Sequence, residues 1–253
     1  MVSTGRAPYG SRVLATPSAR LFVCAPALAV ALLAPAPAAA PSPAACKPNL
    51  ATQLASTRHA SQLVTVVAPG AAATHAAVRL WQRVDGCWRQ ADGPWTGRLG
   101  RNGISGRHRE GDGTTPSGAY AIGPVMYGTA ADPGVRYRYH LLVCGDWWDE
   151  DPASSAYNTF RHLPCGVQPS FRAGSEGLWG FRRAYGHFAV LDYNAHPVVP
   201  GRGSAIFIHE EVGKATAGCV SLPAAELVRL LRWLRPEDAP LVVIGTRAEI
   251  RRL

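Results

Sequence analysis

The stretch Ser204-Ala-Ile-Phe-Ile-His209-Glu-Glu-Val-Gly-Lys-Ala-Thr216-Ala-Gly-Cys219-Val-Ser-Leu-Pro223 constrains this chain most. Ala205–Ile208 is a short apolar run with β-branched and aromatic side chains, which reads as a buried strand ending at His209. A loop follows, and Pro223 then opens a helical pattern. Leu227, Leu230, Leu231 and Leu234 recur there at three- and four-residue spacing, up to Arg235, where Pro236 stops the helix. An imidazole at a strand end and a thiol between a glycine and a helix start form a candidate base and nucleophile. The helix N-terminus favours the thiolate. A cysteine in such a place also suits the role of a small buried hydrophobe.

Ile208-His209 with Thr216, Gly218, Cys219 and Val220 form one patch, and Gly111-Asp-Gly-Thr-Thr115-Pro-Ser-Gly118-Ala-Tyr-Ala-Ile122 forms a second. Together they resemble the L,D-transpeptidases (the YkuD-type catalytic domain), in which Ile-His-Gly ends a strand and Ser/Thr-His-Gly-Cys carries the nucleophile. The second patch is similar to that family's Gly-x-Thr-Pro-x-Gly-x-Phe-x-Ile hairpin, and the two patches lie within residues 111–245. Three positions depart from the pattern: Glu210 stands for Gly, Ala217 for the second His, and Ser221 for Arg or Asn.

The resemblance implies a mostly β fold of the L,D-transpeptidase β-sandwich type, with one main helix after the nucleophile and a long loop-rich insertion. It implies that Cys219 attacks the carbonyl before the terminal D-alanine of a peptidoglycan stem peptide, with His209 as base. The amides around Gly218 and Cys219 would bind the oxyanion, and the main-chain carbonyl of Glu210 would orient the imidazole. Thr115, Thr216, Ser221 and His187 are the expected substrate contacts. No metal or organic cofactor is called for. The departures leave two other readings: a wall-peptide-binding domain without turnover, and a thiol L,D-carboxypeptidase acting on the same bond.

Arg6, Arg12 and Arg20 precede the apolar run Leu21–Leu33, and no acidic residue occurs before position 41. This is the pattern of a secretory leader over residues 1–40, with an uncleaved membrane anchor as the alternative. Residues 41–60 read as an extension and 61–247 as the catalytic domain, including an irregular insertion over 126–186. Loss of Cys24 with the leader leaves Cys46, Cys87, Cys144, Cys165 and Cys219, an odd number that permits fifteen arrangements with one free thiol. The motif selects Cys219 as the free one. The simplest local pairing is then Cys144–Cys165 and Cys46–Cys87.

The full chain carries 26 basic and 17 acidic residues, and the leader removes three arginines. The remaining excess is a solvated basic face or a surface for an anionic wall polymer. The scattered Arg and Lys and the absence of a recognition motif argue against nucleic acid. Gln62–Val67, Ala77–Val84, His187–Asn194 and Pro240–Gly245 read as strands, and Asp85-Gly86 as a hairpin turn. Trp81, Trp88 and Trp95 fit a sheet core better than a carbohydrate platform. The aromatic-rich insertion suits a rim or lid over the cleft. Its acidic run Asp146–Asp151 lacks the spacing of a calcium loop, and His209-Glu-Glu-Val-Gly213 lacks the second His of a zinc helix. The tail 247–253 is expected to be polar and frayed.

Overall fold

The computed structural model describes residues 46–57, 59–171 and 175–253. The expected leader and the first part of the extension lie outside the described residues. Strands β1 (Gln62–Ala68), β2 (His75–Val84) and β3 (Cys87–Arg98) form a meander. Asp85 and Gly86, at φ 51° and 76°, make the turn between β2 and β3. Asp tolerates this left-handed backbone and Gly adopts it without cost, so the dipeptide sets the register.

Two short paired strands, β4 (Ile104–Ser105) and β5 (Thr115–Pro116), precede the long β6 (Gly118–Gly128). The insertion carries β7 (Arg138–Leu141) and a small sheet of β8 (Asp146–Asp149), β9 (Thr159–His162) and β10 (Glu176–Gly177). β11 (Phe188–Leu191), β12 (Phe207–Glu210), β13 (Val220–Leu222), α1 (Ala224–Trp233), β14 (Leu241–Thr246) and α2 (Arg247–Ile250) complete the chain.

The main sheet runs β11-β12-β13-β3-β2-β1-β14-β6, and β6 also pairs with β11, so the sheet closes on itself. β7 lies parallel along the remaining stretch of the β6 edge. Closure removes the unpaired edges that an open sheet would leave. The fold is thus mostly β, barrel-like, with one main helix and a long loop-rich insertion.

Alternation within the strands assigns side chains to two layers. Val64, Val66, Val78, Leu80, Ile206, Ile208, Val220 and Leu222 fill the interior, where Leu227, Leu230, Leu231 and Leu234 of the α1 segment meet them. Each of these fully buried leucines contributes about 2 kcal/mol of transfer free energy. On the opposite face of β11 and β12, Phe188 and Phe207 pack with Trp148, Leu178, Tyr185 and Cys219. The insertion supplies half of that second layer, which places the cysteine between the barrel and the insertion.

Several boundaries differ from the sequence reading. The strand at residues 205–208 begins at Phe207 and extends through Glu210, because Ala205 sits at φ 53° and cannot continue a ladder. The helix ends at Trp233, with Leu234 already extended ahead of Arg235 and Pro236. The tail is not frayed over its first turn. Thr246 and Glu249 form a reciprocal capping box, and Ile250 is fully buried. The described part of the 41–60 extension packs Ala51, Leu54 and Ala60 against Trp81 and Trp88.

Disulfides join Cys46 to Cys87 and Cys144 to Cys165, and Cys219 is free. The second bridge spans 21 residues of the insertion. A closed loop of that length contributes roughly 3 kcal/mol through the unfolded chain. No helix among the described residues is long and apolar enough to cross a membrane.

Candidate active site

His209 lies on β12 in register with Ser221 of β13, and Cys219 immediately precedes β13. Both His209 and Cys219 line a cavity of about 700 Å³. Arg101, Arg182, Arg183 and Lys214 surround it as cations, and Glu176, Tyr185, Thr216 and Ala217 also contribute to its wall. Arg182, Arg183 and Lys214 are exposed.

His209 Nδ1 lies 2.8 Å from the carbonyl oxygen of Glu210. A carbonyl only accepts, so Nδ1 carries the proton and Nε2 is left with its lone pair. The Tyr185 ring stands edge-to-face on the imidazole at 5.6 Å. Burial pushes the His209 pKa down to about 4, against the smaller opposing pull of the Glu210 and Ala184 carbonyls. The imidazole is therefore neutral at physiological pH and fit to accept a proton.

The Cys219 sulfur sits between two backbone groups. The Phe207 N–H donates to it at 3.4 Å, and the thiol donates to the Ala205 carbonyl at 3.2 Å. Among the described residues no hydrogen bond links it to His209. Burial raises the thiol pKa, the nearby Glu176 carboxyl raises it further, and the Phe207 amide opposes them. The resting pair is a neutral thiol and a neutral imidazole.

The turn carrying the cysteine is held by two threonines. Thr216 Oγ1 donates to the Cys219 carbonyl at 2.7 Å and accepts from the Gly218 amide at 3.2 Å. Thr115 Oγ1 donates to the same carbonyl at 3.2 Å and accepts from the Gly100 amide at 2.8 Å. This is why the Thr-Pro hairpin, about a hundred residues upstream, lies against the nucleophile turn. The Cβ that any other residue would bring to position 218 would stand 3.1 Å from the Thr114 carbonyl, so the close approach favours glycine.

A family model described as the L,D-transpeptidase catalytic domain, YkuD, matches residues 93–250. The chain belongs to the L,D-transpeptidase family. No curated protein matches it. L,D-transpeptidases are cysteine enzymes that act on peptidoglycan stem peptides.

Of the residues singled out in the sequence as substrate contacts, Thr216 reaches the cavity wall and Thr115 is fully buried beneath it. Ser221 is buried, and its hydroxyl has no hydrogen-bond partner among the described residues. His187 does not line the cavity. Its Nδ1 lies 2.8 Å from a Glu210 carboxylate oxygen, and its Nε2 lies 3.1 Å from the Ala131 carbonyl. From the insertion, whose aromatics were expected to rim the cleft, Tyr185 lines the cavity, and the structure adds Glu176, Arg182 and Arg183. Their irregular segment carries no periodicity that would have marked them.

Proposed function

We propose that the protein is an exported L,D-transpeptidase that cross-links peptidoglycan stem peptides through a thioester on Cys219. The observation that carries this reading is the shared cavity of Cys219 and His209, with the imidazole held in the Nδ1–H tautomer by the Glu210 carbonyl. Substrate entry turns the thiol from the Ala205 carbonyl towards His209 Nε2, which takes the proton as sulfur attacks the peptide carbonyl. The amide of Cys219, with that of Gly218 shared with Thr216, stabilises the tetrahedral oxyanion. His209 then returns its proton to the departing D-alanine amine. An amine on a neighbouring stem closes the cycle by displacing the thiol. Export is supported by the expected leader and by the two disulfides, which persist in oxidising compartments.

The test is acylation by a carbapenem, followed as a mass adduct. The wild-type protein should gain one adduct and Cys219→Ser none, whereas an adduct of unchanged yield on the serine variant would refute the assignment. His209→Ala should slow adduct formation by about 10²–10⁴-fold, the usual contribution of a positioned base. If stem tetrapeptide is turned over to tripeptide alone at every acceptor concentration, the activity is L,D-carboxypeptidase. A Cys219 that never acylates would favour the peptide-binding reading.

A further inference from the structure

We propose that Glu176 receives the amine of the acyl acceptor and removes its proton before that amine attacks the thioester. The inference rests on the reading of Cys219 as the acylated residue. Among the described residues lining the cavity, Glu176 is the sole carboxylate, and four of the others are cations. An amine reaches the protein as an ammonium, which that rim repels. Glu176 is the one group in the wall that attracts it.

The insertion places this side chain firmly. β10 pairs with β8, setting Glu176 opposite Trp148. The Tyr185 hydroxyl donates to Oε2 of the carboxyl. The Glu176 amide donates to Glu150 Oε1 at 3.1 Å, which fixes the backbone. Oε1 of Glu176 has no hydrogen-bond partner among the described residues, so one carboxyl oxygen is left for a ligand. Tyr185 also stands against the His209 ring, so acid and imidazole share one support.

A second base has work to do here. His209 is held near pKa 4, a poor match for an alkylammonium of pKa about 10. Burial raises the Glu176 carboxyl above its ordinary range, against the Tyr185 hydrogen bond, which brings its basicity closer to the task. In the step itself, the Glu176 carboxylate takes one proton from the ammonium. The nitrogen lone pair forms the C–N bond at the thioester carbonyl, and the C–S bond breaks. A second nitrogen proton passes through His209 to the departing sulfur. The products are the amide and the thiol, and the proton on Glu176 returns to solvent.

The test uses the full chain with a stem tetrapeptide as donor and a peptide bearing a free side-chain amine as acceptor. The readout is the ratio of cross-linked product to hydrolysed tripeptide. In Glu176→Gln the mass adduct on Cys219 should still form, and the ratio should fall at least about ten-fold. Hydroxylamine, largely unprotonated at neutral pH, should intercept the acyl-enzyme of variant and wild type alike. That selective rescue would not follow from a merely structural role. A melting curve, with Glu176→Asp as a second variant, controls for misfolding. The aspartate should retain part of the ratio. Acylation with an unchanged ratio, or an equal loss towards hydroxylamine and the peptide amine, would overturn this inference alone. A wild-type Cys219 that never acylates would overturn the nucleophile reading and this inference with it.

Discussion

His187 and Glu210 meet across the ends of β11 and β12, with ring Nδ1 2.8 Å from a carboxylate oxygen. The other ring nitrogen lies 3.1 Å from the Ala131 carbonyl, so the ring is gripped from both sides. Gly186 leaves the space, since a Cβ there would lie 2.5 Å from the carboxylate. β11 and β12 stop pairing at Phe188 and His209, so this side-chain contact replaces the next rung of the ladder. It secures the residue whose own carbonyl holds the His209 ring. A Glu where the family pattern has Gly thus comes with its own partner.

Glu210→Gln and His187→Leu should each slow carbapenem acylation of Cys219 by about ten-fold through small misplacement of the imidazole. Nitrogen NMR of His209 should show the Nδ1–H tautomer in the wild type and a mixture in the variants. A wild-type tautomer in both variants would show that the backbone alone positions the ring.

Glu150 makes a pH prediction with a definite sign. Burial, then the neighbouring Glu176 and Glu110 charges, push its pKa up to about 9. Its folded-state pKa lies above the unfolded value, so its stabilising contribution is complete below about pH 4.5 and is lost as pH rises towards 9. Above about pH 7.5 His209 is neutral in both states and drops out. Urea midpoints should therefore fall between pH 7.5 and 9 in the wild type. They should fall less in Glu150→Gln. Parallel curves for the two proteins would contradict the assignment.

Ser221 carries a buried hydroxyl with no partner among the described residues, an arrangement that costs stability. Ser221→Ala should raise unfolding free energy by about 1 kcal/mol, measured by urea titration. A loss of stability would reveal a hydrogen bond made through solvent.

Arg182 and Arg183 have no carboxylate partner within 4 Å among the described residues and line the cavity on its exposed side. A donor peptide with several carboxylates should feel them in binding more than in chemistry. Arg182→Glu with Arg183→Glu should raise KM for a stem tetrapeptide several-fold, the gap narrowing at high salt, with kcat little changed. An equal KM at low salt would remove the rim from donor recognition.

The elements written with strong local rules were legible in the sequence. β1 runs apolar, β2 alternates, Asp85-Gly86 makes the hairpin from β2 to β3, and the leucines of α1 mark one helix face. The motif pair His209 and Cys219 was legible through its flanking strand and helix. The tail was misread because a polar stretch hides a capping box and one buried isoleucine. The insertion's small sheet was not legible, since its strands are two to four residues long and its order depends on contacts such as Asp146 with His140 and His162. Glu176 was missed for the same reason. Its place in the cavity wall comes from tertiary packing, and no local pattern encodes it.

The burial of Cys219 among Phe207, Tyr185 and Trp148 also bears on redox chemistry. Four other cysteines of the described chain are paired, and a free thiol in the compartment that oxidises them is exposed to disulfide exchange and to oxidation to a sulfenic acid. Both routes begin from the thiolate. A sulfur kept protonated against the Ala205 carbonyl, behind an aromatic wall, is slow to enter either. The same packing that makes the resting nucleophile inert keeps it, in the folded protein, from exchanging with the two bridges.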